Sequence, residues 1–163
     1  WLLILMFSAT ITGTIITRYE NAFAAIPLLV SFIPMLMDTG GNCGSQSSTL
    51  IIRGIALGEI QFSDLFRVMF KEFRVSLIVG VALALANGIR ILIMYKNAGL
   101  ALVIGLSLVA TIVISKLIGC VLPLIAKKLH MDPAIMASPL ITTLVDTCSI
   151  LIYFNIATQV FQL

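Results

Sequence analysis

Five long apolar runs, broken by short polar intervals, dominate the residue pattern of this chain. Each approaches the roughly 20 residues that an α-helix needs to cross the hydrocarbon core of a bilayer. They predict five transmembrane helices per subunit, at about residues 2–17, 23–52, 75–95, 100–126 and 133–161, and so an all-α membrane protein. The break at Arg18–Glu20 is tight and predicts a hairpin between the first two segments. The interval Gly54–Arg74 is longer, charged and amphipathic, and predicts a helix lying along the membrane surface.

Composition agrees with lipid as the solvent. Hydrophobic residues make up 60% of the 163, charged residues 10%, and the mean hydropathy is +1.15. That leaves too little polar surface to cover a soluble globule. The length suits one domain, residues 1–163. Trp1 begins the chain inside an apolar run that lacks the basic start and small-residue cleavage site of a signal peptide, so further chain is expected before it.

Charge sets an orientation. Arg53, Arg67, Lys71, Arg74, Lys127 and Lys128 flank the runs on one side, against Arg18, Arg90 and Lys96 on the other. Cytoplasmic loops hold the excess of Lys and Arg, which predicts a cytoplasmic N-terminus and an external C-terminus. The net charge of +3 is spread along these flanks and does not form a nucleic-acid-binding patch. Cys43, Cys120 and Cys148 are too scattered for a zinc site or a disulfide framework. No phosphate-binding loop or nucleophile–base pairing suggests an enzyme.

Two carboxylates need an explanation, because a charge in the bilayer interior is costly unless it meets protein, water or an ion. Asp146 falls near the middle of the fifth segment. Thr142, Thr143, Ser149 and Tyr153 stand at helical steps from it and predict a hydroxyl-rich, pore-lining face, with Pro139 kinking the helix to free nearby carbonyls. In the second segment Asp38, Asn42, Ser45, Gln46 and Thr49 fall on one stripe, with Gly40, Gly41 and Gly44 between them. Carboxylates, amides and hydroxyls are the ligands of a hard divalent cation, and Mg²⁺ in particular keeps much of its water. Plainer readings stand beside this one. Asp146 can pair with Lys116 or hydrogen-bond a neighbouring helix, and Gly40 with Gly44 can form a close helix-packing face.

The run Pro34-Met-Leu-Met-Asp-Thr-Gly-Gly-Asn-Cys-Gly-Ser-Gln-Ser-Ser-Thr-Leu-Ile-Ile-Arg53, followed by Gly58-Glu59, resembles the second transmembrane helix of the MgtE magnesium channels. Asp132-Pro-Ala, Ser138-Pro-Leu-Ile-Thr-Thr-Leu-Val-Asp146 and Leu151-Ile-Tyr153 resemble that family's fifth. The resemblance implies a homodimer with its pore on the two-fold axis, lined by the second and fifth helices of both subunits. It also implies a Mg²⁺-selective channel or transporter domain in a prokaryotic inner membrane, with Mn²⁺ or another divalent ion as further cargo. Asp146 and the Thr142 carbonyl would hold the hydrated ion, with Gly41, Ser45, Thr49, Ile135 and Ser138 along its path. Cytoplasmic N and CBS domains that sense Mg²⁺ would lie outside this chain. Asp38 departs from the family pattern, where a small uncharged residue is expected, and adds a carboxylate. A proton- or Na⁺-coupled secondary transporter and a non-conducting membrane anchor are the alternatives.

Overall fold

The computed structural model describes residues 2–136 and 138–162, and for Ile4, Asn21, Ala22, Phe23, Ile135, Met136 and Ser138 the backbone alone. All regular structure among the described residues is helical. Helix α1 is Leu2–Arg18, α2 is Glu20–Ala25, α3 is Ile33–Ala56, α4 is Leu65–Tyr95, α5 is Ala98–Lys128 and α6 is Ser138–Phe161.

The helix expected over 23–52 is broken by its prolines. A residue before proline is pushed out of the α region, and Ile26, ahead of Pro27, has φ −137° and ψ 82°. Residues Pro27–Phe32 then wind as a 3₁₀ helix. Pro34 has no N–H to give, so the Val30 carbonyl accepts from Ile33 instead, and the α-helical path starts there. The surface helix expected over 54–74 is also corrected. After the turn at Gly58, with φ +74°, Gln61 and Asp64 cap each other's backbone, and α4 runs unbroken from Leu65 into the apolar span. In the last segment, Pro139 stands in the first turn of α6, where a missing N–H costs nothing, so it begins the helix and does not kink it. The 3₁₀ turn Pro133–Met136 precedes it.

Among the described residues, three helices are long and apolar enough to cross a membrane: Phe62–Tyr95, Ala98–Lys128 and Pro139–Phe161. The polar stripe of α3 lowers its hydropathy, and α1 is 17 residues long.

Helix α5 is the central post, packed against α4, α3 and α6, while α1 packs on α6. Its joint with α4 is short: Lys96 takes a left-handed conformation at φ 49°, and the Asn97 side chain caps α5 by accepting from the Leu100 N–H at 2.9 Å. Ser107, Thr111, Ser115 and Gly119 recur every fourth residue on α5 and are all buried. This small-residue row lets α3 approach closely. A Cβ on Gly40 would lie 2.7 Å from the Thr111 methyl, and one on Gly119 would collide with the Gly44 carbonyl. We therefore expect Gly119→Ala to destabilise the protein by about 1 to 3 kcal/mol. Gly88→Ala on α4, with no atom within 4 Å of the new Cβ, should be neutral or stabilising. Thermal unfolding in detergent tests both, and equal stability of the two variants would contradict the close crossing.

Two apolar clusters close the ends of the bundle. One joins Leu29, Phe32, Leu36, Ile104, Tyr153 and Phe154, and the other joins Ile51, Ile55, Cys120 and Leu124. The second end gathers the basic residues counted on one side of the sequence. Lys127 Nζ lies 3.4 Å from the Ile55 carbonyl, and Lys128 Nζ lies 4.1 Å from the centre of the Phe62 ring.

Candidate functional site

Helix α3 has two faces of different kinds. Gly40, Gly44, Ser47 and Ser48 are buried against the bundle, whereas Asp38, Asn42, Gln46 and Thr49 are exposed and Ser45 is half-buried. The first face gives the packing role read for the glycines, and the second gives the polar stripe. The Thr49 hydroxyl donates to the Ser45 carbonyl at 2.9 Å, which keeps it on the helix surface.

The stripe lies beside α6. Gly41 is buried against Thr142, and a Cβ on it would sit 3.1 Å from the Thr142 methyl. This contact sets Thr142 and Asp146, one helical turn apart and both half-buried, next to the exposed side of α3. Asp146 lies within electrostatic reach of Asp38. The Thr142 hydroxyl donates to the Pro139 carbonyl at 3.0 Å, which leaves its oxygen lone pairs beside the Asp146 carboxylate on the half-buried side of α6.

The hydroxyl-rich face predicted around Asp146 is shorter than the spacing suggested. Ser149 is buried and donates to the Val145 carbonyl at 2.6 Å. Tyr153 is fully buried, donates to the Leu29 carbonyl at 2.8 Å, and packs on Phe154, which stacks on Tyr19 at 4.7 Å. Tyr153 thus ties α6 to the segment before α3, while Ser149 bonds within its own helix. Thr147 faces α1, with its hydroxyl 3.1 Å from that of Thr12. The side chains of Ser138 and Ile135 lie outside the described residues.

Lys116 does not reach Asp146. Its ammonium lies 3.2 Å from Glu72 Oε2 and 3.0 Å from the Ser47 hydroxyl, which itself donates to Glu72 at 2.6 Å. All three residues are buried, and theirs is the one ion pair among the described residues. It joins α3, α4 and α5 behind the polar stripe. Glu72 escaped the sequence reading because it lies in a charged interval. The signal was its place at the head of Glu72, Ser76 and Gly80, a small and polar row at a spacing of four that is buried on a mostly exposed helix.

A pair of uncompensated carboxylates among amides and hydroxyls, on one flank of an apolar bundle, is suited to attracting a hard cation through water. The profile of the MgtE family, described as "Divalent cation transporter", matches residues 33–156. The chain belongs to the MgtE family. The matched stretch holds both MgtE motifs and each part of the site just described. A "Magnesium transporter MgtE" of Bacillus subtilis (strain 168) is 40% identical over 158 residues, or 97% of this chain and 35% of the relative. That of Thermus thermophilus is 36% identical over 158 residues, covering 96% of this chain and 35% of the relative. That of Enterococcus faecalis is 34% identical over 159 residues, covering 98% and 35%. The chain thus spans about a third of the length of these MgtE relatives, and their names describe transporters of magnesium, not enzymes.

Proposed function

We propose that this chain is the membrane-embedded pore domain of a Mg²⁺ transporter, crossing the bilayer five times through α1, α3, α4, α5 and α6. Two copies related by a two-fold axis conduct the ion between α3 and α6 of both. The observation that carries this reading is the exposed stripe of Asp38, Asn42, Gln46 and Thr49 beside Asp146 on a bundle whose large exposed side chains are mostly apolar. Lipid cannot satisfy such a stripe. A second copy facing the first would enclose it, double its carboxylates and leave a wet path.

In that path Asp146 attracts a hydrated Mg²⁺, and the Thr142 carbonyl, Asn42, Ser45 and Thr49 hold its water. Gly41 keeps α3 close to α6, Ser138 lies toward the basic end, and Asp38 brings a second carboxylate to each subunit. Fixed negative charge admits cations and favours divalent ones, Mn²⁺ among them. The gathering of Arg53, Arg67, Lys71, Arg74, Lys127 and Lys128 at one end supports a cytoplasmic N-terminus and an external C-terminus. The greater length of the relatives supports cytoplasmic N and CBS domains that act on the pore from that side.

Mg²⁺ uptake into liposomes by the full-length protein tests the reading. Uptake should follow the Mg²⁺ gradient alone. Dependence on a proton or Na⁺ gradient would replace the channel with a coupled transporter, and silence across Mg²⁺ concentrations and membrane potentials would favour an anchor.

A further inference from the structure

The first turns of α4 have a surface that the ion pathway does not use. Arg67, Lys71 and Arg74 fall on one helical face, all exposed, and none is in an ion pair among the described residues. The Arg74 guanidinium lies 5.9 Å from the centre of the Phe70 ring. Phe66 and Phe70, 81% and 63% exposed, stand beside these cations. The three cations line a cavity of about 800 Å³ with Phe70, Val75 and Ile78, and the carboxylates of Glu59 and Asp64 share its wall. An apolar groove lined by Leu77, Ile78, Val81, Ala82 and Leu85 lies along the same helix. Ile78 belongs to both, so the basic cavity runs into the apolar groove.

We propose that this composite surface seats one anionic phospholipid of the cytoplasmic leaflet. Its phosphate lies among Arg67, Lys71 and Arg74, and an acyl chain lies along Ile78, Val81 and Leu85. The inference rests on the reading above that α4 crosses the bilayer. Three features select this occupant. The charge is complementary to a phosphate, with three cations against two carboxylates. The cations stand where the charged start of α4 passes into its apolar length, the depth at which headgroup phosphates meet a basic juxtamembrane segment. From Arg74 to Leu85 the helix rises about 16 Å, on the scale of an acyl chain. A second copy docked on this face about a two-fold axis would bring the same cations against these, which like charge opposes. A cytoplasmic domain would meet the basic half and leave the groove uncovered.

The test is lipid retention by the full-length protein, purified with equal amounts of phosphatidylglycerol and phosphatidylcholine and followed by native mass spectrometry. Wild type should keep phosphatidylglycerol in preference. Each Lys or Arg near an anionic surface is worth about fivefold in affinity, so Arg67→Gln/Lys71→Gln/Arg74→Gln should weaken the preference on the order of a hundredfold. Arg74→Gln alone should weaken it about fivefold, which keeps the test open where the triple variant fails to fold. Lys127→Gln/Lys128→Gln removes two charges from the same end and should leave the preference intact. No preference in wild type would overturn the proposal. So would equal loss in the Lys127/Lys128 variant, or a photo-crosslink from position 71 that lands on protein. Loss of Mg²⁺ uptake with lipid preference intact would strike the transport reading alone, and the converse would strike this one alone.

Discussion

Asp146→Asn is expected to abolish selective Mg²⁺ binding and flux while leaving the helix bundle folded. The side chain keeps its size and half-buried place on α6, so what is lost is charge. A divalent ion about 5 Å from a carboxylate gains about 1.7 kcal/mol even at the dielectric constant of water, and more between low-dielectric walls. That is roughly twentyfold in affinity for each carboxylate, and the proposed dimer presents two, so a loss on the order of several hundredfold is expected. Asp146→Glu keeps the charge and should retain much of the binding. Asp38 stands on α3 and not on the Thr142–Asp146 turn proposed to hold the ion, so at its greater distance Asp38→Asn should weaken Mg²⁺ binding only several-fold. Isothermal titration of Mg²⁺ into the three purified variants separates these outcomes. A folded Asp146→Asn protein with wild-type affinity would remove α6 from the ion site.

The sequence disclosed the parts of this site that depend on helical periodicity. Steps of three and four placed Asp38, Asn42, Ser45 and Thr49 on one stripe, and in the structure Asp38, Asn42 and Thr49 are exposed while Ser45 is half-buried. Periodicity on one helix could not say which neighbours cover the adjoining positions. Ser149 and Tyr153 stand at helical steps from Asp146 and yet turn into the bundle: Ser149 donates back to the Val145 carbonyl, and Tyr153 donates to the Leu29 carbonyl of the 3₁₀ segment, 124 positions away. The break at Ile26 was written in Pro27, but the apolar run around it outweighed that signal. The apparent surface helix failed as a separate element for a different reason. Its charges suggested a polar end, yet Glu72 is neutralised by a residue on α5 that lies 44 positions away, and the helix continues past it.

Long-range pairing of this kind also decides what Lys116 does. Lys116→Met should destabilise the protein by about 3 to 5 kcal/mol, because it strands Glu72 and the Ser47 hydroxyl in the bundle without their cation. Glu72→Gln should cost a similar amount by stranding the ammonium. The double variant Lys116→Met/Glu72→Gln removes both charges together, and it should be more stable than the sum of the single losses by about 2 kcal/mol or more. The same cycle run on Lys116 with Asp146 should give a coupling within about 0.5 kcal/mol of zero, since the ammonium is directed to α3 and α4 and not to α6. Thermal unfolding of the full-length protein in detergent reads both cycles. Strong coupling to Asp146 would mean that Lys116 neutralises the ion-site carboxylate. Strong coupling to Glu72 alone would leave Asp146 free to meet a cation in the proposed pore.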